Sequence, residues 1–395
     1  MSDKSLNFKT TSTLFVLAAC TAMTPLKSLA DSGFVKESKT KFNLRYRLET
    51  VDQDGIAEDA TASTLKARIT WQSGSFSKVK LNAELDHVMT LGADDYNDAS
   101  GESTKTQFPV VADPTGTDLN QLNLMFEKDK LSLIAGRQRI ILGNQRFVGG
   151  VGWRQNEQTY DGVRAKFKMN RQLELDYSYI ATINRIFGPD GPKKDAEGGF
   201  QLFNANYKVN DMHKVTGFAY LLDYDGDSDA INTFGVDYNG KFNHIMTHAS
   251  VAMQSMGDFD ATYLALDASM AFGQATVTLG WEQLGSDDGT YAFATPLATA
   301  HKFQGFADKF LTTPSDGIDD YYIKVGGKLA KVKLSAAYHM FNSVEGSTDY
   351  GSELDFVASY KAHKTTTVVA KFASYSADEH ASDTTKFWLM ANAVF

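Results

Sequence analysis

This sequence predicts an all-β fold: a transmembrane up-and-down antiparallel β-barrel of about eighteen strands, with short periplasmic turns and long extracellular loops. Three observations carry that expectation. Apolar and polar residues alternate with period two from residue 41 to the end, short and long connections succeed one another, and an export signal precedes both. Bulk composition conceals all of this. With 43% hydrophobic and 22% charged residues, a net charge of −9 and a mean hydropathy of −0.30, the 395-residue chain has the averages of a water-soluble acidic protein. Those averages exclude disorder, collagen and coiled coil. The lack of any apolar run of about 18 residues excludes a helical membrane protein, but not a barrel, whose strands are apolar on one face only.

At the N-terminus, Lys4 and Lys9 precede the apolar stretch Leu14 to Met23, and Ser28-Leu29-Ala30 supplies small residues for cleavage. The expected arrangement is a signal peptide over residues 1–30 and a single barrel domain over 31–395. Leu17-Ala18-Ala19-Cys20 is the competing pattern of a lipoprotein, with Cys20 acylated; the short apolar stretch before it and the good downstream site favour cleavage after Ala30. Three lysines against Asp3 leave with the signal, so the mature chain stands at −11 and has no cysteine. Disulfides, a thiol nucleophile and a thiolate metal site are thereby excluded.

The strands follow in order. Phe42, Leu44, Tyr46 and Leu48 oppose Asn43, Arg45, Arg47 and Glu49. Leu65, Ala67, Ile69 and Trp71 oppose Lys66, Arg68, Thr70 and Gln72, and Val79 to Leu85 alternate with Lys80, Asn82, Glu84 and Asp86. Val163, Ala165 and Phe167 oppose Arg164, Lys166 and Lys168; Leu173 to Tyr179 alternate with Glu174, Asp176 and Ser178. Such segments centre on residues 45, 68, 84, 123, 134, 164, 176, 205, 218, 237, 249, 266, 279, 324, 336, 357, 370 and 390. Near 134 the pattern conflicts: Leu131 and Leu133 share a parity with Arg137 and Arg139, which calls for a bulge or an early strand end. Eight tight turns alternate with nine longer polar connections, the latter near 52–62, 91–118, 140–158, 183–200, 223–231, 255–260, 285–320, 342–351 and 376–383. Every mature proline falls in a long loop, as a closed barrel requires, because proline cannot donate to a ladder and no edge strand exists to hold it. No interior helix is expected.

The densest chemistry lies in Gly136-Arg137-Gln138-Arg139-Ile140 and the run from Asn144 to Asp161, which contains Arg146, three glycines (Gly149, Gly150 and Gly152) and Trp153-Arg154-Gln155-Asn156-Glu157-Gln158. This stretch resembles the alginate-export family of outer-membrane porins, which carry a GRQRI strand and an NQRFVGGVGWRQNEQT loop of this kind. The segment from Thr295 to Leu311 is similar to the same family, and the likeness covers essentially the whole mature chain. The resemblance implies an outer-membrane conduit with an arginine-lined lumen suited to a polyuronate. The family's cargo varies, so fold transfers better than substrate.

The residues themselves agree in part. All ten arginines lie between Arg45 and Arg185. Arg45, Arg47, Arg68 and Arg164 fall on the polar, inward parity, joined by Lys66; with Arg137, Arg139, Arg146 and Arg154 they form the candidate solute path. A guanidinium pairs bidentately with a carboxylate, which suits anionic cargo. The same arginines could instead brace the wall against Glu49, Glu84, Asp86, Glu174 and Asp176, and the sequence leaves both roles open. The glycine-rich loop 140–158 is expected to fold into the lumen as a constriction.

Other signals are weak. Gly150-Val151-Gly152 lacks the third glycine of a dinucleotide fingerprint, and Asp223 to Asp229 lacks the turn glycine and the bidentate glutamate of a calcium loop. The eight histidines have no zinc spacing, so no metal or other cofactor is expected, nor an enzyme. Charge and export disfavour nucleic acid. The expected function is passive passage of an anionic saccharide or other carboxylated solute across the outer membrane. The alternatives are a diffusion porin for neutral nutrients, a barrel enzyme, and a plugged structural or surface-recognition barrel. The expected partners are outer-membrane lipid, the solute, and the barrel assembly machinery, addressed by the terminal strand that ends in Phe395.

Overall fold

The structure, a computed structural model, describes residues 33–395; the Ala30 cleavage site and Cys20 lie outside the described residues. A one-turn helix, α1 (Gly33–Lys36), leads into the barrel. The first strands are β1 (Lys39–Gln53), β2 (Ala60–Gln72), β3 (Val79–Asp95), β4 (Gly116–Lys128), β5 (Leu131–Gln138) and β6 (Thr159–Lys168). Then come β7 (Leu173–Asn184), β8 (Asp195–Lys208), β9 (His213–Tyr224), β10 (Ile231–Phe242), β11 (Ile245–Met256), β12 (Phe259–Phe272) and β13 (Ala275–Leu284). A two-residue hairpin, β14 (Ser286–Asp287) and β15 (Tyr291–Ala292), and a 3-10 turn (Ala300–Lys302) sit in the next loop. The wall resumes with β16 (Ile318–Leu329), β17 (Val332–Asn342), β18 (Asp349–Tyr360), β19 (Thr366–Ser376) and β20 (Thr384–Val394).

Eighteen of these strands form one antiparallel sheet, each paired to its chain neighbours, and β1 pairs β20 from Asn43↔Val394 to Gln53↔Thr384. The sheet is therefore closed and has no edge. All eighteen predicted strand centres fall within these strands. Closure explains the alternation. Leu44, Phe203, Val236, Leu266, Leu279, Ile323 and Phe356 face outward and are exposed, while Arg47, Glu49, Lys66 and Asp86 point inward and are buried. Phe387, Leu389 and Phe395 are exposed, as expected for the outward face.

Two expectations need correction. The connection near 255–260 is not long: β11 joins β12 through Gly257 and Asp258 alone. Gly257 has φ +59°, which suits the primed turns whose twist matches flanking strands. The polarity of residues 255–260 misled because it belongs to exposed strand ends rather than to a loop. Short helical turns also exist, at α1 and at residues 300–302. The main apolar cluster lies inside the barrel, where loop residues such as Leu142, Val148, Phe293 and Leu297 pack on wall residues such as Tyr160, Phe218 and Tyr263.

Candidate solute path and its constriction

Two loops turn inward and fill part of the lumen. Residues 139–158 leave β5 and residues 285–317 leave β13, and the two are tied together by Gly149 N–H donating to Leu297 O at 2.8 Å and by Thr299 Oγ1 donating to Gln145 Oε1 at 2.8 Å. Phe147 is the apolar peg of the first loop, 4.8 Å from Phe218, 5.0 Å from Tyr263 and 6.1 Å from Phe293 between ring centroids.

Most arginines are consumed in holding these loops to the wall. Arg45 donates to Gln155 Oε1 (2.9 Å), to Gly152 O (2.8 Å) and to Arg154 O. Arg47 donates to Trp153 O (2.8 Å), pairs with Asp113 (3.2 Å) and lies 4.4 Å from the Trp153 ring centroid. Arg68 pairs with Asp86 (2.5 Å) and Glu157 (2.9 Å), with Lys66 at 4.0 Å from Glu157. Arg139 pairs with Glu84 (2.7 Å) and with Glu157. Burial opposes ionisation of Glu157, yet Arg68, Arg139 and Lys66 together hold it far below the usual carboxylate range. Arg146 pairs with Glu282 (2.9 Å), Arg164 with Asp176 (2.6 Å), and Arg154 with Glu49 (3.0 Å) and Asp308 (3.1 Å).

Asp308 anchors the second loop. It receives Lys386 (3.1 Å) and His301 Nδ1 (2.6 Å), while Lys371 Nζ lies 2.8 Å from His301 Nε2. An ammonium can only donate, so Nε2 is an acceptor and Nδ1–H donates to Asp308; the geometry demands a neutral imidazole. Burial acts in the same direction and pulls His301 down to about 3. The ring also stacks on Trp153 at 4.7 Å and 10°.

The space that remains lies between these loops and the wall as three adjoining cavities of about 470, 340 and 580 Å³. The first two share Asn144, His248, Tyr263 and Asp267; the first and last share Leu142, Gly143, Lys214 and Asn239. Apart from Glu174, the carboxylates here are already committed. His248 bridges Asp237 (2.7 Å) and Asp267 (2.9 Å), His339 meets Asp320 (2.9 Å), and Glu282 accepts from Tyr263 (2.6 Å) besides Arg146. Lys214, Lys302 and Lys324 also line these cavities, and none of them is in an ion pair with another described residue. Lys302 donates to Asn144 O (2.8 Å); burial and the neighbouring Lys324 push its ammonium below the ordinary value.

A sequence profile of the family described as Alginate export matches residues 36–299, two thirds of the chain. The chain belongs to the alginate export family. No curated protein sequence matches it. Among solved structures, OccAB4 of Acinetobacter baumannii superposes with a TM-score of 0.72 at 15% identity, covering 91% of this chain and 98% of that one. OccK8 (OprE) of Pseudomonas aeruginosa gives 0.69 at 14%, covering 92% and 99%, and OpdK of the same organism, in a structure with vanillate, gives 0.69 at 13%, covering 92% and 100%. At these identities the likeness is one of fold. Membership of the alginate export family and the closed eighteen-strand wall together make this chain an outer-membrane β-barrel channel.

In this member of the alginate export family, eight of the nine predicted path residues point inward. Arg45, Arg47, Lys66, Arg68, Arg139, Arg146, Arg154 and Arg164 all meet carboxylates or loop carbonyls. Arg137 does not. It is opposite Leu122 on β4 and Asp161 on β6, on the outward parity, so it is not in the lumen. Its two donors grip Asp161 at 2.8 and 2.9 Å and a third reaches Leu119 O at 3.2 Å. β5 ends at Gln138 while β4 continues to Gly116, and Arg137, at that end, ties β4 to β6. The early strand end puts Arg139 inside and leaves Arg137 outside. Arg137→Gln should therefore lower barrel stability by about 1 kcal/mol, the scale of a part-exposed ion pair, and leave ion selectivity unchanged. Heat-modifiable gel migration and reversal potentials measure the two.

The residues that sequence reasoning missed are Lys214, Lys302, Lys324, His301, Asp113 and Asp308. Lys302, His301 and Asp308 lie within the Thr295 to Leu311 segment that carried the second family likeness. Nothing in the local pattern distinguishes Lys214 or Lys324 from a bracing lysine.

Proposed function

We propose that this channel passes small carboxylated solutes, of the size of a sugar acid or a short uronide, by diffusion across the outer membrane. The observation that carries this reading is the set of lysines at 214, 302 and 324: cations without carboxylate partners on a path whose acids, Glu174 apart, are engaged. A carboxylate meeting them gains charge-assisted contacts at partly exposed sites, weak enough singly to release it onward. The arginines hold the constriction rather than the cargo. Cavities of 340 to 580 Å³ suit a small molecule better than a threading polymer. OpdK, a structural relative, is known with vanillate, itself a small carboxylate. Delivery to the assembly machinery through the Phe395 strand, whose apolar side chains face outward, belongs to the same reading.

Planar-bilayer recording tests it. The reversal potential in a salt gradient should show anion preference. The triple variant Lys214→Gln, Lys302→Gln, Lys324→Gln should reduce that preference severalfold, and a small sugar acid should inhibit chloride current in the parent channel only. A cation-selective parent channel, or unchanged selectivity in the triple variant, overturns the reading.

A further inference from the structure

The outward wall of β16–β20 carries a groove of about 640 Å³ open to the bilayer. The small residues of its floor, Gly327, Ala358 and Ala370, share one row of the ladder with Leu334: Gly327 is opposite Leu334, Leu334 opposite Ala358, and Ala358 opposite Ala370. One register row away, Val325, Ala336, Phe356, Phe372 and Phe387 run across the same strands, and Phe356 and Phe372 stand 6.5 Å apart as one bank. Leu329 and Leu334 make the other. Outward parity assigns the groove to the lipid-facing surface, so whatever fills it is apolar.

The lower end is electrically distinct. Lys331 lies in the two-residue turn between β16 and β17, and Lys361 and Lys364 lie in the turn between β18 and β19. Lys328 and Lys333, paired at the ends of their strands, add two more charges at the periplasmic mouth. All five are exposed, and none forms an ion pair with another described residue. No aspartate or glutamate occurs from Tyr321 to Val344 or from Phe356 to Ala377. These short turns are on the periplasmic side, at the level of the phospholipid headgroups of the inner leaflet.

We propose that this surface is a binding site for an anionic phospholipid of the periplasmic leaflet, with an acyl chain in the groove and the phosphate group against Lys331, Lys361 and Lys364. The apolar groove and the uncompensated lysines match the two halves of such a lipid, and each lysine near the headgroup favours an anionic one by about fivefold at low salt. A second copy of the chain is a poor occupant, because an isologous contact would bring two lysine rims together.

The test uses the whole channel in phosphatidylcholine vesicles containing spin-labelled phosphatidylglycerol or spin-labelled phosphatidylcholine. Electron paramagnetic resonance should show severalfold preferential immobilisation of phosphatidylglycerol, falling to parity in the triple variant Lys331→Gln, Lys361→Gln, Lys364→Gln. Ala336→Phe with Ala358→Phe, which fills the groove with residues at home in lipid, should shrink the immobilised phosphatidylglycerol component. Retained heat-modifiable migration shows that each variant has folded. No headgroup preference in the parent channel, a preference that survives the lysine triple, or an immobilised component untouched by filling the groove overturns the proposal. A dimer in detergent that Ala358→Phe dissociates overturns it in favour of a second copy.

Discussion

Arg154→Met opens the channel: single-channel conductance and current noise should both rise, while the barrel stays folded. Arg154 is the point where three pieces of chain meet. It comes from the first infolded loop, pairs with Glu49 of β1, and reaches Asp308 of the second loop. Glu49 is fully buried, and the side chains of Arg154 and Asp308 are 7% and 6% exposed. Methionine preserves much of the volume but leaves two buried carboxylates short of a partner, and loss of one member of a buried pair typically costs about 3–5 kcal/mol. That penalty falls on the loop packing. The wall ladder, complete through the β1–β20 seam, retains its own hydrogen bonds. The loops therefore loosen before the barrel does. A current trace indistinguishable from that of the parent channel would show that the loops are held by their aromatic contacts alone.

Acidification should open the same lock. His301 is neutral in the packed loop, with its pKa at about 3, against about 6.5 when the loop is released. A released loop thus takes up a proton below about pH 6.5 that the packed loop refuses. Packing stability is complete above that pH and falls as pH drops toward 3, by at most about 1.4 kcal/mol per pH unit. Asp308 adds to the loss at the lower end. Although burial opposes it, His301, Lys386 and Arg154 hold its pKa well below the usual carboxylate value, so its contribution is present above about pH 4 and is lost as pH falls further. Open-channel noise or mean conductance recorded from pH 7 to pH 4 should rise, beginning below about pH 6.5. His301→Gln keeps a donor and an acceptor without titrating, and should flatten the upper part of that profile. An identical pH dependence in the variant would assign the response to other groups.

Much of the wall was legible because period-two alternation is a local consequence of strand geometry. Phe42 to Leu48 face lipid and Arg45 and Arg47 face inward for the same reason, and no long-range information is needed to say so. Proline placement and turn spacing added closure. The errors arose where sidedness depends on distant chain. Arg137 lies outside because β5 keeps the parity of Leu131 and Leu133 without a bulge up to Gln138, and the chain departs inward only over residues 139–158. The polar run at 255–260 looked like a loop because exposed strand ends and loops have the same composition. Lys214, Lys302 and Lys324 could not be separated from bracing lysines, since a charge is free only if no partner arrives from elsewhere in the fold.

The sequence by itself determined that this chain is an eighteen-strand outer-membrane barrel and, Arg137 apart, which side chains its wall turns inward. It also concentrated arginine in the first half. Only the tertiary structure decided what those arginines do. Carboxylates more than a hundred residues away, Asp308 and Glu282 among them, come within 3.1 Å of Arg154 and within 2.9 Å of Arg146. The physical reason is that alternation is written in neighbouring residues, whereas an ion pair is written in two distant segments that meet only after the sheet has closed.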